Sequence, residues 1–320
     1  MVKISVIMPV FNGAKTIVSS LNSLQLQTYD DFEVIIVNDG STDNTLDVVH
    51  STLKYSKFEW KIINVPHRGP GAARNIGIKK ARGNLIYFLD SDDKIKPNAL
   101  EAMSSKFKEH NIDIVVCGFT ISTSNGKIIK QFHPKSAAIL DGYSALVKYL
   151  KGELKIVMGS IMIKRSLIKN KNIYFPPTYH GEDILFVSNT LYNSNKVYVL
   201  RDILFEYISN IQSLSSYKNT SLRTYTEYIK TLKSISTSIN NREITNIVLQ
   251  EKIPKATLSS SIQVLKKKDI NLVVNFFKYP HVIGSLRLIK FKPSNFEEWI
   301  LSRIILSLYK IMNNKKHIGN

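Results

Sequence analysis

Apolar residues gather in short runs, and each run ends in a polar or glycine-containing turn. Ile4-Ser5-Val6-Ile7-Met8 is the first, closed by Pro9-Val10-Phe11-Asn12-Gly13. Glu33-Val34-Ile35-Ile36-Val37 is the second, closed by Asn38-Asp39-Gly40-Ser41-Thr42-Asp43. Leu85-Ile86-Tyr87-Phe88-Leu89 is the third, closed by Asp90-Ser91-Asp92-Asp93. Runs of this length and apolarity predict buried strands. Between the first two, Ile17, Leu21, Leu24 and Leu26 stand close to helical spacing and predict a helix over residues 15–27. Thr42 or Asp43 is placed to N-cap a second helix over 45–53. A third helix, over 72–81, follows the Gly-rich turn Gly69-Pro70-Gly71, and the apolar run 112–119 predicts a further strand. Strand alternating with helix predicts a parallel sheet with right-handed crossovers. The three turns then share one edge, outside the carboxyl ends of the strands, where open α/β sheets bind ligands.

The third turn carries the most chemistry. Carboxylates held as close as Asp90, Asp92 and Asp93 repel unless a cation joins them, so a hard divalent metal is the natural guest. Such a metal calls for an anionic partner, and a diphosphate fits. Asp93 is expected to cap the next turn, where Pro97 opens a helix.

Composition sets bounds on the rest. The chain has 320 residues, 43% of them hydrophobic, enough for one catalytic domain and a smaller appendage. Its one cysteine, Cys117, lies within an apolar run and is expected to be a buried strand residue. Met1-Val2-Lys3-Ile4 leads straight into a strand, so no signal peptide is expected. Apolar stretches stay below about 18 residues, so no transmembrane helix is expected and the cytoplasm is the predicted compartment. Charge is uneven. Residues 1–120 hold 14 Lys+Arg and 13 Asp+Glu, a balance of +1, and the remainder holds 30 and 12, a balance of +18. A basic half suggests an anionic surface, either membrane or a polyanionic acceptor. Nucleic acid is disfavoured because no nucleic-acid motif accompanies the charge. Residues 296–312 predict a helix with Ile300, Leu301, Ile304, Ile305, Leu308 and Ile311 on one arc, Arg303, Ser307 and Lys310 opposite, and Trp299 and Tyr309 at the flanks. That pattern suits a helix lying in a membrane interface and equally a helix packed on its own domain. The Lys266-Lys267-Lys268 run adds a basic face. The region could also serve as a homo-oligomer contact.

Four blocks together resemble the inverting family-2 glycosyltransferases of the GT-A fold, of the bacterial surface-polysaccharide type. They are Ser5-Val6-Ile7-Met8-Pro9-Val10-Phe11-Asn12, Val37-Asn38-Asp39-Gly40-Ser41-Thr42-Asp43, Gly69-Pro70-Gly71-Ala72-Ala73-Arg74-Asn75-Ile76-Gly77 and Phe88-Leu89-Asp90-Ser91-Asp92-Asp93. Looser likeness continues through Ile156-Val157-Met158-Gly159-Ser160 and Tyr179-His180-Gly181-Glu182-Asp183-Ile184-Leu185-Phe186, and no family motif follows about Ser215. The resemblance implies an α/β fold with a Rossmann-like, mostly parallel central sheet, flanking helices and a helical C-terminal region. It implies a catalytic domain over 1–215, with a nucleotide-binding half (1–120) and an acceptor half (121–215), followed by a basic helical region over 216–320. It implies a UDP-sugar donor bordered by Pro9, Phe11 and Asn12, with Asp39 accepting the uracil imide N–H; an Asx turn is the alternative for Asp39. Arg74 and Ser91 fall near the nucleotide, and His67 stands where many relatives carry asparagine. Asp92 becomes the ligand of Mn²⁺ or Mg²⁺, with Asp90 reaching the ribose or a metal-bound water. Asp183 becomes the general base, and Glu182 and Ser160 fall in the acceptor region.

Two departures stand out. Relatives often carry lysine where Ser160 stands and arginine where Ile208 stands, and Lys218 and Arg223 are nearby substitutes. The expected acceptor is a lipid-linked polysaccharide intermediate at the inner face of the membrane. A protein or teichoic acid acceptor is the alternative, and a non-catalytic nucleotide-sugar-binding subunit is a third reading.

Overall fold

All three apolar runs become neighbouring strands in one sheet. The computed structural model describes residues 3–178, 180–209 and 222–253, together with Ala256, Thr257 and Ser260. The chain separates into two compact units, residues 1–213 and 214–320. In the first, β1 (Ile4–Val10), α1 (Ile17–Gln25), β2 (Phe32–Asn38), α2 (Thr45–Leu53), β3 (Glu59–Asn64), α3 (Pro70–Lys80) and β4 (Leu85–Phe88) follow the predicted alternation. Then come β5 (Lys94–Ile95), α4 (Ala99–His110), β6 (Ile114–Thr123), β7 (Ile128–Phe132), β8 (Ala138–Asp141) and α5 (Gly142–Lys151). A 3₁₀ turn (Met158–Ser160), β9 (Ile161–Lys164), α6 (Arg165–Asn170), α7 (Glu182–Tyr192) and β10 (Lys196–Ser209) complete the unit.

The sheet order is β3-β2-β1-β4-β9-β6-β10-β5, with β7 on β6 and β8 on β10. β3, β2, β1 and β4 run parallel, as do β6 and β10. β9 lies between these groups and runs antiparallel to both β4 and β6. β6 and β10 therefore point the same way as β1, and their ends meet the predicted ligand edge. Side chains alternate across the sheet. Ile4, Val6, Met8, Val34, Ile36, Leu85 and Tyr87 join Leu21, Leu24, Val49, Leu100 and Met103 in one layer. The opposite layer holds Ile7, Ile35 and Phe88 under α3 and α7; α3 comes so close that a Cβ on Gly77 would sit 2.3 Å from Ile7 Cγ2. Cys117 lies in β6, 1% exposed, and burial pushes its thiol up to about 12.

Local boundaries differ from expectation in three places. β1 continues through Pro9, which is buried opposite Val37 rather than ending the strand. Asn44, not Thr42 or Asp43, is the N-cap of α2, while Asp43 Oδ1 accepts from Thr45 N at 3.1 Å. α3 begins at Pro70, whose missing N–H costs nothing at a first helical position, after Gly69 at φ 90°. In the second unit, α8 (Leu222–Ser238) packs on α9 (Arg242–Ile247), and Leu232, Ile235 and Ile244 are buried. The expected helix over 296–312, the Lys266-Lys267-Lys268 run and Lys218 lie outside the described residues; Arg223 falls in α8. Among the described residues no helix is long and apolar enough to cross a membrane.

Candidate active site

The loops after β1, β2 and β3 are tied together by short polar bonds. Asn12 adopts φ 50°, and its Oδ1 accepts from Thr42 N at 2.8 Å while its own N–H donates to Ser41 Oγ at 2.9 Å. Asp39, 2% exposed, accepts from the backbone N–H groups of Arg68 and Gly69, both at 2.8 Å. His67 Nδ1 lies 2.9 Å from Asp39 Oδ2, and its ring stacks on Phe11 with centroids 4.1 Å apart. A carboxylate offers about four lone-pair sites. Asp39 spends most of them wrapping the 67–69 loop around itself, and that loop presents His67 against Phe11. The structure thus brings Phe11, Asn12, Asp39 and His67 into one group, while Pro9 is buried in β1 opposite Val37. The β1 loop also passes the acidic turn: a Cβ on Gly13 would lie 3.3 Å from Ser91 Oγ.

Arg74 is the hub of the second group. It emerges from α3 with a side chain 5% exposed; its Nη2 donates to Asp90 Oδ1 at 2.7 Å, and Nη1 lies 3.4 Å from Glu182 Oε1. Its guanidinium sits 5.4 Å from the Phe175 ring centroid. Nε is buried with no hydrogen-bond partner. Burial opposes the charge on Arg74, but Asp90 and Glu182 outweigh it and raise the pKa. The carboxylates around it are in excess. Burial and then Asp183 push Glu182 up to about 7 against the pull of Arg74. Burial likewise raises Asp183, which Arg74 only partly offsets. Asp183 sits in the first turn of α7, and its Oδ1 accepts its neighbour's N–H, from Ile184, at 2.9 Å.

A floor of aromatic rings sets the distance between α3 and α7. Phe175 and Phe186 stack at 3.9 Å with planes 4° apart, and Phe88 meets both edge-on at 5.5 and 5.6 Å. Asn75, next to Arg74, bonds both backbone groups of Phe175: Nδ2 to its carbonyl and Oδ1 from its N–H, each at 2.9 Å. Sequence reasoning missed Phe175 and Asn75. Asn75 stood inside a quoted motif, but its partner is 100 residues away.

The structure corrects one expectation and adds to two others. Asp93 caps no helix: α4 is capped at Asn98, and Asp93 is 2% exposed with Oδ1 accepting from Ile208 N at 2.8 Å. Burial, then Asp90 and Asp92, raise its pKa well above the carboxylate range. Ser160 is fully buried, accepts from Val157 N at 3.0 Å and donates to Val157 O at 2.8 Å. Glu182 is buried against Arg74.

Asp90 and Asp92 flank half-exposed Ser91 at the mouth of this group. Among the described residues no three His, Cys, Asp or Glu side chains form a complete metal cage. A hard cation of the Mg²⁺ type does not need one, since it is commonly held by one or two carboxylates plus substrate phosphates. Asp92 and Asp90 could hold Mn²⁺ or Mg²⁺ in that way. By contrast, a cavity of about 330 Å³ opens at the opposite edge, lined by Glu33, Lys54, Trp60, Lys61 and Arg82 among others. None of the motif residues line it, and Lys61 and Arg82 are already paired with Glu33.

A Rossmann-like sheet with an inset antiparallel strand, three ligand loops on one edge and an acidic turn among them is the GT-A architecture. Residues 5–170 match Glycosyl transferase family 2, and the chain belongs to that family. It is similar to poly(ribitol-phosphate) beta-N-acetylglucosaminyltransferase TarS of Staphylococcus aureus, 26% identical over 309 residues, covering 95% of this chain and 52% of that protein. It is similar to poly(ribitol-phosphate) beta-glucosyltransferase of Bacillus spizizenii, 33% identical over 213 residues, covering 64% and 32%. Among solved structures it resembles S. aureus TarS 1–349 in complex with UDP-GlcNAc, with a TM-score of 0.67 at 25% identity, covering 89% of this chain and 82% of that one. The chain thus spans about half the length of TarS, and less of the other relative.

Proposed function

We propose that this chain is an inverting, divalent-cation-dependent glycosyltransferase that moves a sugar from a UDP-sugar to a hydroxyl of an anionic envelope polymer. The observation that carries this is the buried Arg74–Asp90–Glu182 contact, which gathers the acidic turn and the first turn of α7 around one guanidinium. Phe11 and His67 supply an aromatic surface for the uracil, and Asp39 shapes the loop beside it. Ser91 and Arg74 border the diphosphate. A cation held by Asp92 and Asp90 would neutralise charge on the leaving diphosphate. Asp183 takes the proton of the attacking hydroxyl. Its raised pKa suits that task, because a base works best with a pKa near the operating pH. Attack from one face inverts the anomeric carbon, so an α-linked donor yields a β-linkage; the names of both relatives specify beta products.

The relatives' poly(ribitol-phosphate) substrates favour a polyol-phosphate acceptor over the lipid-linked intermediate expected from sequence. The +18 balance of residues 121–320 suits that polyanion, and it also suits an anionic cytoplasmic membrane face. The test is transfer from UDP-GlcNAc, UDP-glucose and UDP-galactose onto poly(ribitol phosphate), with Mn²⁺ or with chelator, by wild type and Asp183→Asn. Asp183→Asn is expected to bind UDP normally and to lose at least about a hundredfold in transfer. Wild-type turnover by that variant, or turnover unaffected by chelator, overturns the proposal.

A further inference from the structure

The acidic turn is suspended between two strands, and one of them is unusually short. Asp93 N donates to Asp90 O at 3.1 Å, closing the turn. β5 follows with two residues, paired antiparallel as Phe205 with Ile95 and Glu206 with Lys94. Lys96 N adds one bond, to Leu204 O at 2.9 Å. Continuing this register toward the ligand edge by two residues would set Asp92 opposite Ile208 as an ordinary strand residue. The chain does not continue that way. It turns at Asp93, and the Asp93 side chain bonds Ile208 N at 2.8 Å. A side-chain oxygen stands in for the strand carbonyl that the turn removes. The ladder is thus prolonged while Asp92 stays in the turn, half-exposed.

We propose that Asp93 is a positioning residue that holds the acidic turn against the end of β10, so that Asp90 and Asp92 are presented at a set place without being built into the strand. This rests on the reading of Asp90 and Asp92 as groups that serve the donor diphosphate and its cation. What Asp93 contributes is an acceptor oxygen at one position, not a charge on the ligand. Asparagine supplies the same oxygen at the same reach; leucine keeps the bulk and removes the acceptor.

The experiment compares Asp93→Asn, Asp93→Leu and Asp92→Asn in the full chain. The readouts are kcat and KM for the UDP-sugar, the apparent Mn²⁺ constant in the presence of UDP, the melting temperature, and hydrogen–deuterium exchange at the Ile208 amide. Asp93→Asn is expected within about threefold of wild type in all constants, with Ile208 still protected. Asp93→Leu is expected to expose Ile208 to exchange and to weaken Mn²⁺ by about tenfold, with a loss of roughly ten- to a hundredfold in kcat/KM, the scale of one buried polar group left unpaired. Asp93→Ala replaces the leucine variant should that fail to fold. If Asp93→Asn falls as far as Asp92→Asn, Asp93 acts through its charge and the proposal is wrong. A leucine variant that loses only melting temperature, with the Mn²⁺ constant unchanged, also overturns it. If Asp92→Asn retains wild-type turnover, the reading of the acidic turn fails instead, an outcome distinct from the other two.

Discussion

Where β1, β2 and β3 begin, Glu33 is surrounded by donors; where they end, Arg74 is surrounded by carboxylates. Glu33 accepts from Ser5 Oγ at 2.7 Å, Arg82 N at 2.7 Å, Arg82 Nε at 3.0 Å and Lys61 Nζ at 3.2 Å. Burial pushes its pKa up, but those bonds outweigh it and bring the value down to about 2. At the other edge one guanidinium faces Asp90, Glu182 and Asp183, and Glu182 rises to about 7. Both edges bury charge. At the first, every lone pair of the anion is matched and the result is stability. At the second, carboxylates outnumber the one guanidinium, and burial raises Glu182 and Asp183. A surplus of one sign at a cleft edge is a mark of function, whereas a matched cluster is a mark of structure.

The contrast is broken most severely at its hub. Arg74→Met should destabilise the fold by about 3–5 kcal/mol at pH 8, because it strands buried carboxylates without a cation. Chemical denaturation at pH 8 and pH 5.5 checks this. The loss should shrink at the lower pH, where Glu182 is protonated in the fold. A loss independent of pH would mean that Arg74 matters through packing on Phe175 alone.

Glu33→Gln comes next, with an expected loss of up to about 3 kcal/mol at pH 7. The sign follows from the depressed pKa. Between 4.5 and about 2 the unfolded chain binds a proton that the folded one does not, so the stabilisation is complete above 4.5 and lost as pH falls toward 2. Wild type should therefore converge on the variant in acid denaturation series, while UDP binding at the far edge stays unchanged in both. Asn75→Ala, which unpairs both backbone groups of Phe175, should cost about 1–3 kcal/mol and weaken donor binding with it. Calorimetry with UDP separates the two effects. The smallest expected change is kinetic. The acid limb of kcat should lie above the ordinary carboxylate range, because burial raises Asp183, the proposed base. A limb at the pKa of a solvated aspartate would move the base elsewhere.

Much of this site was legible because its parts are local. A strand run that stops at Asp90-Ser91-Asp92, or at Asn38-Asp39-Gly40, reveals the strand, the edge and the polar group in a few residues. Asp93 was misread for the same reason. Its neighbours suggest a helix cap, while its partner, Ile208, is 115 residues away. The Arg74–Glu182 pair spans 108 residues and left no local pattern. β9 was equally hidden. Four residues, Ile161-Met162-Ile163-Lys164, carry no hint of direction, yet they enter the sheet backwards between β4 and β6. Direction in a sheet is set by the length and path of the connections on either side, which periodicity does not record.

Cys117 gives the molecule a built-in reporter. β6 lies between β9 and β10, and the thiol there is both buried and held protonated by its surroundings. Thiolate, not thiol, reacts with alkylating reagents. Labelling under native conditions should then proceed only through openings that expose the core layer in which Cys117 packs with Leu100 and Met103, and its rate would measure how often those occur. Since the chain holds no second cysteine, a thiol engineered onto the acidic turn or α7 could carry a probe for nucleotide binding with negligible background from Cys117.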